Sequence, residues 1–224
     1  MASTLRDVAK TFVKPNIGDV FPPLEVELGP VKHLLKGKVL NAGAGWRDIA
    51  DMVDGELVNQ DLKWGPEDNR PNIHIFSPLH HIPSADNTYD AVLCNAVLEH
   101  VENPEDVMPE LHRVTKPGGH LILTVPFMQP EHKCPTDFQR WTVDGLSRQA
   151  KIVGFDVASV EPMFTVYHTL YWQCHVWLHL KNSLKYLLMR KLILPPLMYL
   201  SRRSTTQSPV LASAIRVIGR KKAA

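Results

Sequence analysis

The sequence predicts a doubly wound α/β domain, and three observations carry that reading. Short apolar runs alternate with amphipathic stretches from Lys38 onward, a glycine turn Asn41-Ala42-Gly43-Ala44-Gly45 follows the first run, and an acid, Asp61, follows the second. Alternation of this kind specifies parallel strands joined by helical crossovers. At 224 residues the chain can bury a full sheet core as one domain without disulfides or metals.

In chain order, residues 1–37 carry Pro15, Pro22, Pro23 and Pro30 and predict an N-terminal cap or lid rather than a core element. Strands are predicted at Val39-Leu40, Leu57-Val58, Ile73–Ile75, Ala91–Leu93, Leu121–Val125 and Val157–Val160. The clearest helix opens with Asn103 as N-cap, Pro104 at the first helical position, and Glu105 and Asp106 at the positive end of the dipole. Val107, Leu111 and Val114 recur at helical spacing, and Lys116-Pro117-Gly118-Gly119 is expected to terminate that helix. A second helix is expected after Thr142, stopping at Gly154.

Glycines after a strand let the backbone turn sharply and bring N–H groups close to a ligand. The dinucleotide fingerprint G-x-G-x-x-G fails, because its third glycine would fall on Asp48. Asp61 lies 18 residues past Gly43, where doubly wound folds place a carboxylate against ribose hydroxyls.

Two longer segments carry a family resemblance. Ile82-Pro83-Ser84-Ala85-Asp86-Asn87-Thr88-Tyr89-Asp90-Ala91-Val92-Leu93, continuing to Leu98-Glu99-His100-Val101, resembles the "LPF.D.SFD.V.....LEH" signature of class I S-adenosylmethionine (SAM)-dependent methyltransferases, including quinone-biosynthesis members. Arg113-Val114-Thr115-Lys116-Pro117-Gly118-Gly119 is similar to the same family's "RvLKPGG" segment. The resemblance spans residues 38–160. It implies a Rossmann-like fold with a seven-stranded, mostly parallel sheet, helices on both faces, and a closing strand at Ala214–Lys221 beside Val157–Val160. That arrangement leaves a helical insertion before the last strand, so the expected division is 1–37 cap, 38–162 SAM-binding core, 163–210 insertion, and 211–224 final strand and tail.

Carried over position by position, the resemblance sets Gly43, Ala44 and Gly45 against the methionine part of SAM, Asp61 and Leu62 near the ribose, and Asn95 on the sulfonium side. Two positions depart from the family pattern. An acid commonly ending the first strand is Asn41 here, and the Asp expected before the "LP" step is replaced by Ser77-Pro78, leaving adenine to Ser77, Pro78 and Leu79.

Methyl transfer needs alignment and exclusion of water, and an oxygen acceptor also gains from a base. The polar loop 126–142 supplies His132 as first candidate base, with Glu131 or Asp137 to orient it and Arg140 and Trp141 to hold substrate; His100 is the second candidate. The plain alternative for Asp137 and Arg140 is a loop-fixing ion pair at helical spacing. Glu131, His132 and Cys134 crowd three ligand types into four residues, which is no structural zinc spacing, so no metal is expected. These residues predict an enzyme that methylates a small-molecule or lipid-like acceptor at oxygen, the rival being a non-catalytic SAM-fold scaffold that docks through its basic region.

Glu161 is the last acidic residue, and residues 162–224 carry ten Lys/Arg. The remainder holds 15 basic against 23 acidic residues, so body and tail have opposite charge. Residues 163–205 mix Trp172, Trp177 and several leucines with Lys181, Lys185, Arg190 and Lys191, a composition that suits an anionic membrane surface or a homodimer contact. A full span is not expected, since histidines and basic residues interrupt the apolar run. No nucleic-acid partner is expected, because the loop lacks a base-methylating tetrad. The N-terminus offers no secretory signal and Cys94, Cys134 and Cys174 form no framework, so free thiols in a cytoplasmic protein, peripheral to membrane at most, are expected.

Overall fold

The structure, a computed structural model, describes residues 22–223. Residues 1–21, most of the expected cap, lie outside the described residues. Seven strands, β1 (Lys36–Ala42), β2 (Asp54–Asp61), β3 (Ile75–Phe76), β4 (Tyr89–Asn95), β5 (Thr115–Pro126), β6 (Phe155–Met163) and β7 (Ala214–Lys221), form one sheet in the order β3-β2-β1-β4-β5-β7-β6. The pairings of β1 with β2 and β4, of β2 with β3, and of β4 with β5 are parallel. Strand order reverses between β1 and β4, and the carboxyl ends of strands at such a reversal form a ligand crevice. The closing strand falls next to β6, as expected, but between it and β5.

The helices are α1 (Leu24–Leu28, continued by a 3-10 turn Gly29–Leu34), α2 (Pro104–Val114), α3 (Val143–Ile152), α4 (Val166–His179) and α5 (Leu184–Arg203). Among the described residues no α-helix joins β1 to β2, β2 to β3 or β3 to β4. This departs from the regular strand-helix alternation expected of the core. The physical reason is local: Gly65, Pro66, Pro71, Pro78 and Pro83 break two of these connections. The third, from Gly43 to Val53, has room only for the 3-10 turn Ala50–Met52.

The described part of the expected cap is a core element. Leu28, Val31 and Leu35 are fully buried with Val39, Leu93 and Ile122 of the sheet. Arg216 on β7, 1% exposed, donates to the Glu27 carbonyl at 2.8 Å and so ties α1 to the sheet. Burial pushes its guanidinium pKa down from the ordinary value, with Glu27 and Glu161 opposing that shift.

Arg113 couples the two family-like segments. Its guanidinium donates to the carbonyls of Ile82 (3.0 Å) and Ser84 (2.8 Å) and to the carboxylates of Asp86 (2.6 Å) and Glu110 (2.7 and 2.8 Å). Helix α2 ends at Val114, and Lys116-Pro117-Gly118-Gly119 is no terminating turn: it lies inside β5. Tyr89 and Ala91 on β4 oppose Thr115 and His120, so the segment is a bulge. The Lys116 ammonium fastens it to both Asp90 oxygens at 2.8 Å. Asn103 occupies the N-cap position of α2 but makes no side-chain capping bond, whereas Thr142 caps α3 through Gly145 N–H at 3.2 Å.

The chain divides into two compact units. The first, residues 24–126, 132–161 and 215–224, holds nearly all of the sheet. The second includes 127–131 and 162–214 and is built on α4 and α5, the helical insertion expected before the last strand. There Tyr171, Leu178, Leu194 and Met198 are buried together. Arg190 closes the exit of α4 by donating to the carbonyls of Leu178 and Lys181, both at 2.9 Å. All three cysteines are free, and burial pushes the Cys94 thiol up to about 12.

Candidate functional site

A cavity of about 1200 Å³ opens at the carboxyl ends of β1, β2 and β4 in the sheet-bearing unit. Cofactor pockets usually enclose roughly 300–1,000 Å³, so this one has room for a cofactor and a second small molecule. Asn41, Gly43, Ala44, Gly45, Asp61, Leu62, Pro78, Leu79 and Asn95, the positions expected to hold a cofactor, all line it. Ser77 does not. Its carbonyl and hydroxyl receive the buried Gln60 amide at 2.5 and 3.3 Å, so the wall starts one residue later at Pro78.

The glycine turn is shaped by two different constraints. Gly43 has φ +72°, and a Cβ there would stand 2.5 and 2.6 Å from the two Val97 methyls. Gly45 has φ +59°, but a Cβ there would meet nothing within 4 Å: it would enter the cavity space. The turn's N–H groups do not point at a ligand as expected. Those of Gly43 and Ala44 share the Gln60 carbonyl, each at 2.9 Å, and that of Gly45 goes to Asp61 Oδ2 at 2.9 Å. The turn folds back on β2 and satisfies its donors there, leaving backbone shape and absence of side chains as its contribution.

Asp61 is more engaged than its position in the sequence suggests. Oδ2 also receives Arg70 at 2.6 Å, while Oδ1 accepts Leu62 N–H at 2.7 Å and keeps one lone pair. Arg70, 3% exposed, was not foreseen. It donates further to Asp68 and to the Leu62 carbonyl, and its guanidinium lies 4.1 Å over Trp64 and 5.7 Å from Trp46. Both tryptophans line the cavity and are mostly exposed. The available signal was an arginine nine residues past Asp61, with Trp46 and Trp64 before it.

Two amides stand at the cavity floor. Asn41 donates to Asn59 Oδ1 at 3.0 Å. Asn95 donates to Glu27 Oε1 at 2.8 Å, and its own Oδ1 is buried with no hydrogen-bond partner. An orphaned acceptor of this kind costs about 1–3 kcal/mol.

Of the proposed catalytic residues, His100 lines the cavity, and His132, Asp137 and Arg140 do not. The structure nevertheless brings the two histidines together, with ring centroids 5.3 Å apart at 88°. Between them sits Glu99, 0% exposed, which sequence reasoning had passed over inside the "LEH" step. Asp137 and Arg140 form the loop-fixing ion pair of the plain alternative: Arg140 Nη1 and Nη2 both donate to the carboxylate, Nη2 at 2.6 Å. The Arg140 guanidinium, helped by the His132 N–H, holds the Asp137 carboxyl down at about 2. Trp141 is buried beside this pair in sequence, at 7% exposure.

Residues 48–123 match the family described as "Methyltransferase domain". An uncharacterized methyltransferase of Schizosaccharomyces pombe is 28% identical over 99 residues, 44% of this chain and 35% of that protein. A demethylmenaquinone methyltransferase of Renibacterium salmoninarum is 45% identical over 55 residues, 24% of this chain and 23% of its own length. The matches therefore span less than half of these curated relatives. Among solved structures, phosphoethanolamine N-methyltransferase 2 of Haemonchus contortus with bound SAM superposes with TM-score 0.57 at 13% identity, covering 99% of this chain and 60% of that one.

Proposed function

We propose that this chain, which has the class I methyltransferase fold and its domain signature, binds SAM in the β1-β2-β4 cavity and methylates a small or lipid-like acceptor at oxygen. One observation carries the reading: the side-chain-free turn at Gly45, the acid Asp61 and Asn95 all line one cavity that His100 also lines. SAM supplies an electrophilic methyl carbon on a sulfonium leaving group. Asn95 would stand on the methionine side of the cofactor, and the remaining lone pair of Asp61 Oδ1 would accept a ribose hydroxyl. Pro78 and Leu79 bound the adenine side. Of the Glu99–His100–His132 cluster, His100 lines the cavity and would take the proton of the acceptor oxygen, with SAM supplying the methyl group.

The lipid-like reading of the acceptor rests on the second unit. Leu180, Leu184, Leu188 and Leu192 are each more than half exposed there, interleaved with Lys181, Lys185 and Lys191. No helix of the described residues is long and apolar enough to cross a membrane. An exposed apolar and basic surface of this kind suits peripheral seating on an anionic cytoplasmic leaflet, a homodimer being the competing use.

Titration calorimetry with SAM and S-adenosylhomocysteine, followed by labelled-methyl transfer from SAM into fractionated extract, tests the assignment. No binding at millimolar ligand would leave the non-catalytic scaffold reading, which the unusual Asn41 and Ser77 positions motivate. Label in RNA or protein would overturn the small-molecule acceptor.

A further inference from the structure

Glu99 presents an unusual electrostatic situation. Its side chain is 0% exposed, and neither carboxylate oxygen has a hydrogen-bond partner. A buried carboxylate without donors is costly unless a cation compensates it. Two imidazoles face the same oxygen: His100 Nε2 lies 3.7 Å and His132 Nε2 3.6 Å from Glu99 Oε1. Those distances are too long for hydrogen bonds. The three ligand atoms all lie within 4.8 Å of one another.

The outer contacts set the tautomer of His100. Its Nδ1 is 2.5 Å from the Thr136 carbonyl, which can only accept, so Nδ1 carries the hydrogen. In the neutral ring Nε2 then turns a lone pair towards a carboxylate, and two acceptors face each other across the gap. His132 is held differently: the contact at its Nδ1 is an arginine donor, not a carbonyl. Its backbone N–H donates to Asp137 Oδ2 at 2.8 Å, and its Nδ1 stands 3.7 Å from that same oxygen and 3.5 Å from Arg140 Nη2. An imidazole backed by a carbonyl on the far nitrogen, as His100 is, is the usual outer arrangement of a histidine metal ligand. Phe138 N–H donates to the Glu99 carbonyl at 2.8 Å, so the loop that brings His132 is pinned to the Glu99–His100 turn.

From this geometry we propose that Glu99, His100 and His132 form a divalent transition-metal site, with a coordination position left open beside the cavity that His100 lines. Two imidazoles and one carboxylate are a donor set that takes zinc and similar ions with a free position. Ligand atoms around a tetrahedral zinc stand about 3.3 Å apart, given bonds of about 2.0–2.1 Å, so shifts of well under 1 Å close the two Glu99 edges onto an ion. The site differs from the Glu131, His132 and Cys134 grouping dismissed on spacing: His132 lies 33 residues past Glu99 and meets the Glu99–His100 pair only in the fold. Joined to the methyltransferase reading, on which this last clause rests, the ion would lower the pKa of an acceptor hydroxyl and replace a free base.

The test uses the full chain, stripped with chelator and dialysed, then titrated with Zn²⁺ by calorimetry and with Co²⁺ by visible absorption. One equivalent should bind, with a cobalt band in the visible, and S-adenosylhomocysteine affinity should change less than threefold in the variants below. His132→Ala and Glu99→Gln should each weaken the metal by more than about 100-fold, exceeding the 10–100-fold typical of an outer-shell partner. If Glu99→Gln does not fold, His132→Ala decides alone, together with the loss of the zinc-induced rise in Tm. Wild-type protein that binds no stoichiometric zinc, or zinc binding indifferent to His132→Ala, overturns the site and leaves a proton shared between Glu99 and the imidazoles. Zinc bound without any S-adenosylhomocysteine affinity would instead sink the methyltransferase reading and keep the metal.

Discussion

Replacing the two glycines of the β1 turn should produce opposite phenotypes, although sequence treats them as equivalent. Both have positive φ, +72° at Gly43 and +59° at Gly45, so an alanine at either costs about 1 kcal/mol in backbone strain. At Gly43 the added Cβ also overlaps both Val97 methyls at 2.5–2.6 Å, and overpacking of a tight site adds about 1–3 kcal/mol. Gly43→Ala should therefore cost about 2–4 kcal/mol, and Gly45→Ala about 1 kcal/mol, or a Tm drop of about 2–4 °C in a chain of this size. Binding should follow the other order. A valine at position 45 projects into open cavity, so Gly45→Val should keep its fold and lose at least about 100-fold in S-adenosylhomocysteine affinity, or about 2.7 kcal/mol. Urea denaturation and calorimetry on the three variants check this. Wild-type affinity in Gly45→Val, or a larger stability loss at Gly45→Ala than at Gly43→Ala, would refute the placement of the cofactor against the turn.

Asp61→Ala should weaken S-adenosylhomocysteine by about 1.5–3 kcal/mol, the usual worth of a hydrogen bond to a charged group, and an unchanged Kd would mean another residue holds the ribose. The Arg113 guanidinium, with Ile82 N–H, holds the Glu110 carboxyl below its ordinary value. A folded pKa below the unfolded one gives stability that is present above the ordinary carboxylate range and lost as pH falls through the folded pKa. Glu110→Gln should thus flatten the acid limb of a stability-versus-pH curve and lower the plateau at neutral pH; an unaltered limb would show that the pair is energetically silent. The basic, leucine-rich surface of α4 and α5 should make the protein co-sediment with anionic liposomes, more at low salt and less after Leu184→Glu with Leu188→Glu; indifference to anionic vesicles would leave self-association as the use of that surface.

Much of the fold was legible because periodicity is a local property. Each core strand has the apolar run that marks it, and the Asn41–Gly45 turn announces where the chain must bend. Even so, the described connections between β1 and β4 hold no α-helix, since proline and glycine break two of them and the third has room only for a 3-10 turn. The family-like Arg113 and Lys116-Pro117-Gly118-Gly119 could be found in sequence, but their work could not: one bolts residues 82–86 to α2, the other bulges β5.

The site divides along the same line. Gly43, Gly45, Asp61 and Asn95 could be placed at one cavity from sequence, because each sits at a strand end whose position follows from counting along one chain segment. Only the tertiary structure decided who faces whom. Ser77 is turned to Gln60, Arg70 occupies the acid expected to be free, and Asp137 holds Arg140 instead of serving the cavity. Glu99 acquires meaning only when the loop after β5 lays His132 across it, 33 residues away. Contacts of that kind depend on where two loops meet in space, and the pattern of neither loop encodes the other's position.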